Sequence, residues 1–195
     1  MERLERQIRF IVEIDKLKSV LRRTYLIDSN RNENTAEHSW HLAMMAVLLA
    51  EYSNEPVDVS RVIRMVLIHD IVEIDAGDTF VYDSAAMVGK EERERAAADR
   101  LFAILPADQG AELRLLWDEF ERRDTPEAKF AYALDRLVPQ LHNYHTNGGS
   151  WKEHGISKDL VIARNTAMSE GSAKLWEWTR ALLEDAAGKG FFKSL

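Results

Sequence analysis

Between Ser60 and Ile74 the chain reads SRVIRMVLIHDIVEI, apolar on nearly every side of a helix yet carrying His69 and Asp70 side by side. A segment with so little polar surface belongs at the centre of whatever fold forms. Three more acids, Glu73, Asp75 and Asp78, follow within the next eight residues. Taking an ionised carboxylate out of water costs several kcal/mol unless something pairs with it. The His-Asp pair therefore needs a partner, either another charge or a metal ion.

The rest of the chain is consistent with an all-helical setting for that segment. Leu4, Ile8, Ile11, Leu17 and Leu21 recur mostly at three- and four-residue steps, predicting an amphipathic helix over 2–21. RRTYLIDSNRNENT then reads as a polar connection. Asn34 with Glu37 three residues on predicts an N-cap and capping box opening a helix through AEHSWHLAMMAVLLAEY. The stretch DAGDTFVYDSAAMVG is long for a connector and reads as a functional loop. Helices are expected over KEERERAAADRLFAIL and ADQGAELRLLWDEFERR, and another from Thr125-Pro126 to about HTNGG. Two closing helices follow, over about 157–168 and 172–187. No alternating strand, repeat or dividing linker is found, so the expectation is one all-α domain of about seven to eight helices spanning 1–195.

Composition excludes several classes. A net charge of −7 leaves no basic face dense enough to displace counterions from nucleic acid. The absence of cysteine removes disulfides and thiolate metal sites, which suits a reducing, cytoplasmic setting. MERLERQIRF lacks the apolar core of a signal peptide, and the longest apolar runs fall far short of the roughly 18 residues a membrane span requires. A soluble protein is expected.

Two further ionisable residues stand in apolar surroundings: His38, in the first turn of its helix, and Asp135, inside KFAYALDRLVPQL. On a continuous helix His69 and Asp70 diverge by about 100°, and Glu73 leans over the same surface. Two imidazoles and two carboxylates form an N2O2 set that neutralises a divalent cation and suits an octahedral ion, with about two positions left for water and substrate. Taken singly, each residue has a simpler reading as a satisfied core group, and Asp135 could pair with Arg136 or Lys129. Glu37 reads as a cap. His41, His142 and His145 have metal-like spacing, but surface positions near helix ends explain them. Trp117, Trp176 and Trp178 read as core or interface residues.

The order His38, His69-Asp70, Asp135 resembles the metal signature of the HD-domain phosphohydrolases. ENTAEHSW, HDIVEIDAGDT, ALDRLVPQLHNY and GGSWKEHGI are similar to motifs of the 5′-deoxynucleotidase branch, over about Arg22 to Trp178. The resemblance implies an HD-type fold with a motif core over about 22–146. It implies one divalent ion (Mn²⁺, Co²⁺ or Mg²⁺, with Fe²⁺ or Zn²⁺ as further candidates) on His38, His69, Asp70 and Asp135, and Glu73 as the proton-transfer carboxylate. Asp78, in Gly77-Asp78-Thr79, matches the acid that reads the sugar. The family's phosphate-binding Arg and neighbouring Trp correspond to a region reading LRRTYLI, so Arg22 or Arg23 is expected on the phosphate and Tyr25 in the place of the Trp. The implied substrate is a nucleoside monophosphate and the implied assembly a homodimer. Two rivals remain: a di-iron oxygenase, which calls for additional ligands such as His142 or His145, and a non-catalytic metal-stabilised binding or dimerisation module.

Overall fold

The computed structural model describes residues 1–193. Eight helices of eight or more residues carry the described chain: α1 (Glu2–Ile14), α2 (Thr35–Leu49), α3 (Val59–Ile68), α5 (Lys90–Phe102), α6 (Ala107–Arg122), α7 (Pro126–His145), α9 (Lys158–Asn165) and α11 (Ala173–Gly188). Three single-turn helices, α4 (Glu73–Ala76), α8 (Gly149–Glu153) and α10 (Met168–Gly171), lie between them. The all-helical expectation holds, with one small exception.

That exception is an antiparallel hairpin of β1 (Leu21–Tyr25) and β2 (Asn32–Asn34), paired at Leu21 with Asn34 and at Tyr25 with Asn32. It replaces both the polar connection and the end of the first predicted helix. α1 stops at Ile14, and a 3₁₀ turn over Asp15–Ser19 keeps Leu17 buried before the chain turns into β1. Strands of five and three residues are too short to leave an alternating pattern, and Asn-Glu-Asn has no strand preference of its own.

Helix α7 is the axis of the fold. Thr125 caps it by accepting from Ala128 N at 3.2 Å, and Pro126 sits in its first turn, as the sequence predicts. Its fully buried residues Phe130, Ala131, Leu134 and Val138 face the main core, which includes Leu42 and Ala46 of α2, Val62, Met65 and Val66 of α3, and Leu116 and Trp117 of α6. A second apolar cluster gathers Trp151, Ile156, Val161, Leu183 and Phe191 beside the end of α7. The capping box that opens α2 is present: Asn34 Oδ1 accepts from Glu37 N at 3.0 Å and Glu37 Oε2 accepts from Asn34 N at 3.1 Å.

The apolar segment around His69 is not one continuous helix. α3 ends at Ile68, and His69 to Val72 form turns in which Ile71 N donates to Ile68 O and Glu73 N to Asp70 O. These i to i+3 bonds tighten the backbone relative to a continuous helix. The short α4 then closes at Gly77, whose φ of +74° suits a residue without a Cβ. Among the described residues no helix is long and apolar enough to cross a membrane.

Candidate metal centre

Two helices and the turn after α3 bring His38, His69, Asp70 and Asp135 together, with one donor atom of each lying within 4.8 Å of the others. His38 comes from the first turns of α2, His69 and Asp70 from the turn that follows α3, and Asp135 from the middle of α7. His38 Nε2 is 3.0 Å from Asp135 Oδ1 and 3.9 Å from Asp70 Oδ2. His69 Nε2 is 3.0 Å from Asp70 Oδ2 and 3.8 Å from Asp135 Oδ1. His69 and Asp70 thus reach the same point, although adjacent residues of a helix diverge by about 100°.

The supports are specific. His69 Nδ1 stands 2.8 Å from the Val66 carbonyl, which selects the tautomer with hydrogen on Nδ1 and leaves Nε2 facing the cluster. Trp117 Nε1 donates to His69 O at 3.0 Å, and the Phe120 ring meets the His69 ring edge-on at 4.9 Å. His69 Nε2 is buried and has no hydrogen-bond partner. Four donors on one ion at about 2.1 Å would lie roughly 3 Å apart when adjacent and about 4.2 Å when opposite. The observed spacings fall close to that range, and two neutral imidazoles with two carboxylates match a divalent ion, so the residues fit such a group.

Arg22 projects from β1 into the same space. Its Nη1 donates to Asp70 Oδ2 at 2.8 Å and lies 3.9 Å from both Glu73 Oε1 and Asp78 Oδ1. Glu73 is buried, with Oε2 accepting from Thr35 Oγ1 at 2.9 Å. Burial, reinforced by the Asp70 charge, pushes the Glu73 carboxyl well above its ordinary range. Burial also raises Asp78, against the pull of Arg22. Asp70 moves the other way: burial opposes its charge, but His69 and Arg22 outweigh burial and hold it below the carboxylate range. Asp135 is likewise depressed, burial being outweighed by Arg136 and by the two nearby histidines. Burial disfavours a charge on His69 too, yet the Asp70 and Asp135 carboxylates raise it to about 10.

Asp70, Glu73, Asp78, Thr79 and Asp135 line one cleft with Arg22 and Arg23. Arg23 is exposed at its rim, whereas Arg22 is largely enclosed, so the strand separates the two arginines that the sequence could not. Tyr25 does not join them. Its hydroxyl donates to Glu153 at 2.8 Å outside this cleft, because Arg22 and Thr24 share the inward face of β1 and Tyr25 falls on the other. The expectation that Tyr25 occupies the stacking position is corrected accordingly.

Other cleft residues were not legible as such. Lys90, at the start of α5, and Arg136 and Gln140, on α7, also line it. Arg136 follows Asp135 and was readable only as its salt-bridge partner, a role it does take at 3.4 Å. Gln140 is 2% exposed with Oε1 unpartnered, and nothing in the sequence marks it. His142, expected at the surface, is buried; it groups with Glu33 and His41 and stands apart from the four-residue cluster. His145 is exposed at the end of α7, as expected, and Glu37 serves as a cap. Trp117 is core, while Trp178 is half exposed.

Comparisons with known proteins point to one family. The HD domain family model matches residues 14–176. The 5′-deoxynucleotidase HDDC2 of Xenopus laevis is 32% identical over 85% of this chain and 90% of its own length. The mouse 5′-deoxynucleotidase HDDC2 is 31% identical over 86% and 92%. A crystal structure described as a predicted metal-dependent phosphohydrolase from Magnetospirillum magnetotacticum MS-1 superposes with a TM-score of 0.94 at 55% identity, covering 99% of this chain and 97% of that one. A conserved hypothetical protein from Pyrococcus furiosus, 23% identical with a TM-score of 0.65, shares the fold.

Proposed function

The chain belongs to the HD-domain family, and from that premise we propose that it is a divalent-metal-dependent phosphohydrolase converting deoxynucleoside 5′-monophosphates to deoxynucleosides and phosphate. The observation that carries this reading is a cluster of two histidines and two aspartates whose Asp70 and Asp135 line one cleft with Glu73 and Arg22. Relatives that are named 5′-deoxynucleotidases and match most of the chain support the substrate class.

His38, His69, Asp70 and Asp135 would hold one divalent ion, Mn²⁺, Co²⁺ or Mg²⁺ being the first candidates and Fe²⁺ or Zn²⁺ the next. When bound, such an ion polarises a phosphoryl oxygen and acidifies water. The protein supplies the rest. Arg22 offsets phosphate charge, with Arg23 at the rim. Glu73 is held by Thr35 at Oε2, so Oε1 is the atom free to take or give a proton. Overall, a water oxygen bonds to phosphorus, the bond to the sugar 5′-oxygen breaks, and that oxygen gains a proton. Asp78, with Thr79 beside it, receives a sugar hydroxyl and leaves little room for a 2′-hydroxyl.

The remaining parts of the reading are coarser. One domain over 1–195, a cytoplasmic location and a homodimer complete it, with no part for nucleic acid or membrane. Pairing is supported by exposed apolar residues on α1 and α2, among them Leu4, Ile8, Val12, Trp40, Val47 and Leu48. The di-iron alternative calls for His142 or His145 at the cluster, and neither stands there.

The test is a phosphate-release screen of metal-loaded protein against deoxynucleoside and ribonucleoside 5′-monophosphates and unrelated phosphate esters. Deoxynucleotides should lead by about 10- to 10³-fold in kcat/KM, the range that one hydroxyl in a tight corner can set. Asp78→Ala should shrink that ratio. Equal kcat/KM for dAMP and AMP would refute the sugar preference, and no phosphate from any ester would refute the enzyme.

A further inference from the structure

Glu33 lies on β2, and the reaction outlined above makes no use of it. Its side chain is 1% exposed, which makes an unpaired charge there untenable. One oxygen, Oε2, accepts from Thr24 Oγ1 at 3.4 Å and faces Arg22 Nε at 3.6 Å and two buried ring nitrogens that have no hydrogen-bond partner, His38 Nδ1 at 3.4 Å and His142 Nδ1 at 3.7 Å. Two of these belong to opposite halves of the site. His38 presents its other nitrogen, Nε2, to Asp135 at 3.0 Å, and Arg22 presents Nη1 to Asp70 at 2.8 Å.

Glu33, His41 and His142 have by themselves a spacing that an ion could use. Arg22 Nε beside the same oxygen argues against a second cation, because it already supplies the positive charge and would repel another.

We infer that Glu33 is a positioning residue shared by the metal-holding and phosphate-holding halves of the site. Facing His38 Nδ1, it favours the tautomer with hydrogen there and so turns the Nε2 lone pair toward the ion. Facing Arg22 Nε, it steadies the guanidinium and aims its free end into the cleft. A single buried carboxylate therefore sets the distance between metal and phosphate, and its removal loosens both together.

This inference rests on the metal-dependent phosphohydrolase reading, so its test separates binding from turnover. Mn²⁺ affinity is measured by calorimetry on the full chain, below the melting temperature of each variant. Inorganic phosphate serves as the probe of the second half, through its inhibition constant in the release assay. Glu33→Gln should weaken Mn²⁺ binding by about 10- to 100-fold, the usual effect of losing a partner of a ligating histidine. It should also raise the phosphate inhibition constant and KM several-fold at saturating Mn²⁺. Glu33→Asp keeps the charge, should recover part of both, and carries the test alone if the Gln variant does not fold. Unchanged constants, or a change in only one of the two, would overturn the shared role. Wild-type protein that binds Mn²⁺ but hydrolyses no ester would overturn the enzymatic reading, while the effect of Glu33 on Mn²⁺ affinity would still be read.

Discussion

Asp70→Asn removes one of the two ligand charges, and the geometry allows its effects with and without metal to be separated. In the metal-free protein Asp70 Oδ2 is 2.8 Å from Arg22 Nη1, and its donor oxygen lies no more than 4.8 Å from that of Asp135. At an effective dielectric of about 20, the first contact is worth roughly 6 kcal/mol of attraction and the second at least about 3.5 kcal/mol of repulsion. Asp70 Oδ2 also lies 3.0 Å from His69 Nε2, and with its pKa raised to about 10 His69 is a second cation in the metal-free protein, so losing the carboxylate removes more attraction than repulsion and the chelated variant should melt below the chelated wild type. The metal-loaded proteins should differ further. At a free ion concentration of about 100 times Kd, binding stabilises the wild type by about 2.7 kcal/mol. For a chain of this size that raises Tm by roughly 5 to 11 °C.

Loss of a charged ligand should weaken binding by at least the 10- to 100-fold expected for a mere supporting partner. At the same ion concentration a 100-fold loss leaves about 0.4 kcal/mol, a shift of roughly 1 °C. The assay is thermal unfolding with chelator and with Mn²⁺, on both proteins, with metal content measured in parallel. An Mn²⁺-induced shift of wild-type size in Asp70→Asn would show that Asp70 is not a ligand. No shift in the wild type despite confirmed loading would show that the buried acids do not need the ion.

Glu73→Gln should keep Mn²⁺ binding while kcat falls by about 10²- to 10⁴-fold, the worth of a positioned proton-transfer group, and loss of the ion in a metal assay would instead make Glu73 a ligand. Gly171→Ala should lower Tm by roughly 6 to 12 °C, because a Cβ there would lie 2.1 Å from Lys129 O and 2.8 Å from Phe130 N, backbone of α7 that cannot yield, and overpacking of this kind costs about 3 kcal/mol. For Glu119, burial works against the charge, but hydrogen bonds from Arg61 and Thr125 hold its carboxyl below the ordinary range. A depressed pKa gives stability that is complete above the unfolded value of about 4.3 and is lost as pH falls through the folded one. Glu119→Gln should therefore lower Tm at pH 7 and narrow its gap to the wild type below about pH 4, as read by a pH series of melts.

The parts of the site that the sequence revealed are those where a polar residue interrupts a long apolar pattern. His69 and Asp70 break SRVIRMVLI, and Asp135 breaks the stripe that puts Phe130, Leu134 and Val138 into the core. In a helix the period of burial is known, so an ionisable group on the buried face declares itself. Glu33, Arg22 and Tyr25 offered no such background. They lie on a hairpin too short to show alternation, and which of Arg22, Arg23 and Tyr25 turns inward is decided by pairing with β2, a contact between residues about ten apart. His142 was misplaced for a related reason: nearness to a helix end suggested exposure, but α7 ends against the rest of the fold, and His142 meets Glu33 there. The break after Ile68 was hidden because apolar residues continue through Ile71, Val72 and Ile74, and periodicity alone does not register a change from i+4 to i+3 bonding.

The site gathers at that turn. His69 and Asp70 stand side by side there, and an ion lodged between them is within reach of both once α2 and α7 close around it. Asp70 meets the His69 nitrogen and Arg22 at once, and Glu73 begins α4 facing the same space. Four carboxylates, Asp70, Glu73, Asp78 and Asp135, then share a cleft with four cationic side chains, Arg22, Arg23, Lys90 and Arg136. A divalent ion alone adds two positive charges to that balanced set, a phosphate dianion alone adds two negative ones, and the two together restore the balance. In a low-dielectric cleft that balance favours the doubly loaded state over either half-loaded one, so metal and phosphate should bind each other's complexes more tightly than the free protein.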